Sequence, residues 1–207
     1  MHDILSLTLY HRQFLVFDHP LVATLTGYGA LTLLTCLYVY WQYIGDIFVR
    51  KVPPPISVWG LWLLLDVVAT SAEFARGVFN VQLVGYTIGT AVIVLVLWRR
   101  RVLAWDPLWD GLSAIAVFMA IGLLLLTDDP LFGLLFSLSG MTIASVPLVR
   151  AIVAGADESP VIWGVILLGS VLSVLDGNLV SGVWLGVVQV LIITLIFRFQ
   201  KKEMCAT

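Results

Sequence analysis

The sequence predicts an all-α integral membrane protein whose seven transmembrane helices form a 3+1+3 parallel repeat of three-helix bundles. Three observations carry that expectation. The 207 residues are 60% hydrophobic and only 12% charged, against about 25% charged in a water-soluble domain, and the mean hydropathy is +1.03. The apolar residues fall into long runs separated by short polar breaks, which is the pattern of a polytopic membrane protein. One stretch near the start of the second run recurs near the start of the sixth.

The elements follow in order. Residues 1–20, "MHDILSLTLYHRQFLVFDHP", lack a basic leader, and His11 and Arg12 interrupt their apolar stretch. They read as an interfacial segment on the membrane surface, not as a cleaved signal peptide. His2, His11 and His19 share it with Asp3 and Asp18, but solvated or headgroup-level side chains explain this set more simply than a metal site. A span needs about twenty mostly apolar residues, and seven segments qualify: 21–44, 55–75, 79–98, 107–126, 130–150, 160–177 and 179–198. Their breaks hold Pro53 to Pro55, Arg99 to Arg101, Asp128-Asp129-Pro130 and Asp157 to Pro160, all residues that end or start helices. The sixth and seventh spans are divided only by Asp176, Gly177 and Asn178. Residues 21–98 thus make a first bundle, 99–128 a linker with its helix, 129–198 a second bundle and 199–207 a cytoplasmic tail.

Orientation follows from the cationic residues. Nine of the eleven, Arg50, Lys51, Arg99 to Arg101, Arg150, Arg198, Lys201 and Lys202, fall on one side, and Arg12 and Arg76 on the other. The bias predicts an outer N-terminus and a cytoplasmic C-terminus in a plasma (inner) membrane.

The repeat pairs "PISVWGLWLLLD", Pro55 to Asp66, with "SPVIWGVILLGS", Ser159 to Ser170. Each starts a helix from the cytoplasmic side with a proline in its first turn, where the missing N–H costs nothing. Each sets Trp-Gly four residues on, as Trp59-Gly60 and Trp163-Gly164. A basic loop residue precedes each copy, and a third helix ending in cationic residues follows it. One inserted span between two triplets keeps both in the same orientation, which is a parallel repeat.

With Pro147-Leu148, Arg150, Ser159-Pro160 and Trp163 in view, the chain resembles the SWEET and PQ-loop superfamily of membrane transporters, closest to bacterial members with a Pro-x-Ser-x-Trp-like helix start. Leu148 stands where the superfamily's proline-glutamine step has glutamine, and the first repeat reads "YWQYIGD" at the corresponding end. The resemblance covers residues 21–200 in architecture. It implies two three-helix bundles facing a central pathway, a small neutral or zwitterionic solute near the midplane, and Pro147 as a hinge for alternating access. The first bundle would then flex elsewhere, at Gly45 or at Pro53 to Pro55.

Asp66 is the residue that calls for explanation. At about 1.5 Å per residue it lies about 16 Å past Pro55, near the bilayer centre. Thr90, nine residues before Arg99, and Gln189, nine before Arg198, come to about 13 Å from the same surface. Ser170 aligns with Asp66 across the repeat. Asp66, Thr90, Ser170 and Gln189 therefore fall in one layer of four helices. Trp59, Trp62, Asp66, Thr70 and Glu73 share one stripe of the second helix, and Trp163 with Ser170 repeats the aromatic-to-polar order on the sixth. The other face, with Leu61, Leu64, Leu65, Val68 and Ala72, suits lipid or packing. Aromatic walls with a few polar groups are what small-molecule pockets present. The candidate solute-binding set is Asp66, Trp59, Trp62, Thr90, Trp163, Ser170 and Gln189.

A carboxylate at a helix centre costs roughly 2.5–3.5 kcal/mol on insertion scales, which the surrounding Leu, Trp and Val residues offset. No Lys or Arg lies at matching depth, so Asp66 has to face protein or water, or be protonated. It either serves a solute, with protons as an open coupling partner, or hydrogen-bonds Thr90 or a backbone carbonyl and fixes helix packing. Glu73 and Arg76 read as an interfacial ion pair or a gate. Trp59 and Trp163 are equally readable as interfacial anchors, while Trp41, Trp105 and Trp109 fit an aromatic belt. Gly85 and Gly89 form a small-x-x-x-small pattern for close helix packing.

Other classes fit less well. All three histidines precede residue 20 and no span carries a convergent catalytic set, which speaks against an enzyme. A retinal protein needs a lysine in its last span, and 179–198 has none. A nicotinamide riboside-type carrier shares the plan, but that resemblance implies the opposite orientation. Cys36 and Cys205 give no disulfide framework, and no basic surface suggests nucleic acid. No cofactor or metal is expected; the expected partners are the bilayer and a small solute. A receptor or structural membrane protein is the alternative, and a monomer or a homo-oligomer both remain open.

Overall fold

The structure, a computed structural model, describes residues 27–49, 56–100, 107–127, 129–154 and 158–204. Its elements are α1 (Gly27–Val49), α2 (Ile56–Ala75), α3 (Val81–Arg99), α4 (Pro107–Leu126), α5 (Pro130–Ala144), α6 (Val146–Val153), α7 (Pro160–Leu175) and α8 (Leu179–Met204). The described residues hold no strand. The interfacial segment 1–20, its histidines and Arg12 lie outside them, as do Gly155 to Asp157, Arg50 to Pro55, Arg101, Trp105, Asp128 and Cys205.

Among the described residues, four helices are long and apolar enough to cross a membrane: Ile56–Ala75, Val81–Arg99, Pro130–Val153 and Leu179–Phe199. The apolar helices Asp110–Leu123 and Pro160–Leu175 are shorter. Exposed aliphatic and aromatic side chains such as Leu34, Trp41, Trp98, Phe118 and Val187 cover the outside, as expected where lipid replaces water. These are the features of a membrane-embedded protein.

Local chemistry explains the helix ends. Asn80 accepts from the backbone N–H groups of Gln82 and Leu83 at the start of α3. Asp129 and Ser159 cap α5 and α7, each with proline in the first turn, so the free donors of those ends are met or removed. α2 and α7 stop in the same way. Gly77 (φ 73°) and Gly177 (φ 95°) adopt the left-handed conformation, and the N–H groups of Val78 and Asn178 return to the carbonyls of Glu73 and Ser173. Both are glycine-closed Schellman ends.

The long rod Pro130–Val153 breaks at Ser145. Pro147 supplies no N–H to the carbonyl of Ile143, and the Ser145 hydroxyl donates back to the carbonyl of Met141 at 2.8 Å. Both devices bend helices.

Helix neighbours are specific. α1 packs on α3 and α7, α2 on α3, α4 and α5, α4 on α5, and α8 on α7 and α6. Glycines set the closest approaches. A Cβ on Gly89 would fall inside the ring of Tyr40, one on Gly140 would lie 2.8 Å from Leu65, and one on Gly169 2.9 Å from Thr35. The expectation that Gly85 and Gly89 serve close packing is met at the α1–α3 contact, where Gly85 faces Cys36. The expected lipid-or-packing face of α2 divides: Leu61, Leu65, Val68 and Ala72 are buried, and Leu64 is exposed.

Candidate functional site

Asp66 sits at the middle of α2, buried, with the Thr90 hydroxyl donating to its Oδ2 at 3.0 Å. The Tyr40 hydroxyl lies 3.2 Å from Thr90 Oγ1. Because the single proton of Thr90 goes to Asp66, Tyr40 is the donor of that second bond. The result is a chain from α1 through α3 to α2, Tyr40 to Thr90 to Asp66.

A second network joins α3, α7 and α8. The Gln82 amide donates to Ser170 Oγ at 2.7 Å and to the Tyr86 hydroxyl at 3.0 Å. Ser170 donates to Gln189 Oε1 at 2.8 Å, and the Gln189 amide donates to Tyr86 at 3.2 Å. These four side chains close a ring. The two networks meet where the rings of Tyr40 and Tyr86 touch edge to face, 6.3 Å between centroids.

The four residues assigned to one layer thus appear as two bonded pairs, Asp66 with Thr90 between α2 and α3, and Ser170 with Gln189 between α7 and α8. Those helix pairs correspond across the sequence repeat.

Beside the pairs lies a cavity of about 100 Å³. Its wall draws on α1 (Tyr40, Tyr43), α2 (Trp59, Trp62, Asp66), α3 (Tyr86, Thr90), α5 with the break at Ser145, α7 (Trp163, Ile166) and α8 (Trp184, Gln189). None of the described residues of α4 lines it. Ser170 is absent from the wall and stands behind Gln189, so its place is in the hydrogen-bonded layer and not at the cavity surface.

The aromatic groups are tightly ordered. Tyr43 and Trp59 pack with centroids 4.9 Å apart, and Trp59 meets Trp62 edge to face at 5.0 Å. Trp62 touches the apolar cores on three sides of the cavity, and its indole Nε1 is buried without an acceptor among the described residues. Trp59 and Trp163 are buried, which removes the interfacial-anchor alternative for both. The Trp163 indole instead points its N–H toward the buried Glu158 at 3.4 Å. Trp184 donates to Thr142 at 3.1 Å across the α5–α8 side of the wall. Trp41, placed in the belt, is exposed.

Glu73 and Arg76 lie away from the cavity wall. Glu73 is buried, and Arg76 bonds it at 2.9 Å, one turn apart at the end of α2. That is the ion-pair geometry. Nearby, Asn80 donates to Ser181 at 2.6 Å and ties the start of α3 to the start of α8.

Tyr40, Tyr43, Gln82, Tyr86 and Trp184 were not singled out from the sequence. Gln82 and Tyr86 had a signal, a polar pair four apart on one helix face. Tyr40 and Tyr43 sit near the end of the 21–44 span, where nothing in the pattern marks them as cavity residues; α1 continues to Val49. No group of His, Cys, Asp and Glu among the described residues is arranged to hold a metal ion. The arrangement has no nucleophile–base pair on the wall; what it offers chemically is a concave surface of aromatic rings with one carboxyl group.

No family model matches the chain, and neither a curated protein nor a solved structure is similar to it. The resemblance to the SWEET and PQ-loop superfamily rests on the quoted residues alone.

Proposed function

We propose that the protein is a membrane transporter, an alternating-access carrier or facilitator, for a small polar solute bound near the midplane. The observation that carries this is the cavity beside Asp66, whose wall is shared by α1, α2, α3, α5, α7 and α8 but by none of the described residues of α4. A structural membrane protein has no need of an aromatic-lined cavity beside a buried carboxyl group in the middle of a helix.

The seven-span, 3+1+3 reading belongs with this proposal. It is supported by contacts that exchange under the repeat: α2 with α3 corresponds to α7 with α8, and α1 on α7 corresponds to α5 on α2. The matching glycine ends of α2 and α7 support it as well. In this reading α4 is the linker, Pro147 is the hinge beside the cavity, and Asp66, Trp59, Trp62, Thr90, Trp163 and Gln189 meet the solute. Ser170 orients Gln189, and Glu73 with Arg76 stabilises the outer end of α2.

The hydrogen bond from Thr90 to Asp66 is common to the packing and solute readings of that residue. Its position on the cavity wall favours the second. The test is uptake of labelled sugars, amino acids, nucleosides and polyamines into liposomes containing the purified full chain. Saturable uptake of one class supports transport. Binding without movement assigns the chain to the receptor class, and the absence of both uptake and binding for every class overturns the proposal.

A further inference from the structure

We infer that the cavity is built for the compact ammonium head of a small organic monocation, with Asp66 as its counter-ion. This rests on the solute-binding reading above and narrows it to one ligand chemistry. Two independent observations lead to it.

The first is the charge of the wall. Asp66 is the one charged residue that lines the cavity, and the described lining holds no Lys, Arg or His. Among the described residues its one hydrogen-bond donor is Thr90, a neutral hydroxyl. A carboxylate in such surroundings is costly unless a cation or proton meets it. A zwitterion would bring its own carboxylate to a wall with no positive partner, so a net positive ligand suits the site better.

The second is the composition and geometry of the rings. Four indoles and three phenols line a space of about 100 Å³. Trp59 lies edge to face with Trp62 at an interplanar angle of 74°, and Tyr43 is inclined to Trp59 at 55°. Rings set at steep angles to one another present faces and edges in several directions, the arrangement of an aromatic cage around a cation. A cavity of roughly 150 Å³ holds one benzene ring; the present one, of about 100 Å³ and open on one side, therefore takes a compact head of few heavy atoms while the rest of the ligand extends through the opening. Trimethylammonium is compact, has no N–H to satisfy, and is attracted by both the rings and the carboxylate.

The test compares choline with 3,3-dimethylbutan-1-ol, which has the same shape without the charge. Binding to the purified full chain is measured by calorimetry and thermal shift, with glucose and glycine beside them. Choline should bind about tenfold or more tighter than its uncharged analogue. Asp66→Asn should bring the two together, and Asp66→Glu should keep a preference for choline. Gel filtration checks the fold of each variant. If Asp66→Asn does not fold, the charge preference of the native chain and of Asp66→Glu decides.

Equal binding of the two analogues, a preference for glucose or glycine, or a choline preference that survives Asp66→Asn in a folded protein overturns the cation assignment. Those outcomes leave the transporter reading standing. Absence of binding and uptake for every solute overturns both.

Discussion

Thr90 and Asp66, 24 residues apart, are joined by a 3.0 Å hydrogen bond between α3 and α2. The bond gives a buried carboxyl group its donor and holds it at the cavity wall. Removing the donor leaves that group short of a partner. Thr90→Val, which keeps the shape, should destabilise the purified protein by about 1 kcal/mol, and Thr90→Ser should recover most of the loss. Thermal unfolding in detergent reads both.

The Ser170–Gln189 pair makes a matching prediction. Ser170→Ala removes the hydroxyl that both Gln82 and Gln189 use, at a cost of about 1–2 kcal/mol. Gln189→Leu should cost a similar amount. The double variant should cost clearly less than the sum, because the two residues share one network. Additive losses in a double-mutant cycle would mean that the ring of bonds does not act as a unit.

Gly89 tests the α1–α3 approach. An added methyl would enter the Tyr40 ring, so Gly89→Ala should destabilise by about 1–3 kcal/mol as an overpacking change. Gly60 and Gly164 have nothing within 4 Å of the same position, and alanine there should be neutral or stabilising by a few tenths of a kcal/mol or about 1 kcal/mol at most. Melting temperatures of the three variants rank them directly.

Pro147→Ala restores a backbone donor to the rod broken at Ser145. The helix should straighten and the protein gain stability, by up to about 3 kcal/mol, while solute uptake falls. A variant that melts higher and transports as fast as the native chain would remove Pro147 from the mechanism.

Orientation is checked by labelling. With both native cysteines replaced, Arg76→Cys should react with an impermeant maleimide added outside intact cells. A cysteine at Arg150 or Arg198 should react only after the membrane is opened. The opposite pattern would invert the topology.

The sequence alone determined the helices, because each span's hydropathy and each cap is a property of neighbouring residues. The breaks at Pro130, Pro160 and Asp176 to Asn178 were readable for that reason. Lateral order was not readable. In lipid no span is driven inward by hydrophobicity, so apolar pattern does not say which helix meets which. Only the tertiary structure brought Tyr40 against Gly89, closed Gln82, Tyr86, Ser170 and Gln189 into a ring, and turned Ser170 away from the cavity that Asp66 faces. Most of these contacts join different helices, and Tyr40 reaches Gly89 because the glycine leaves room for its ring.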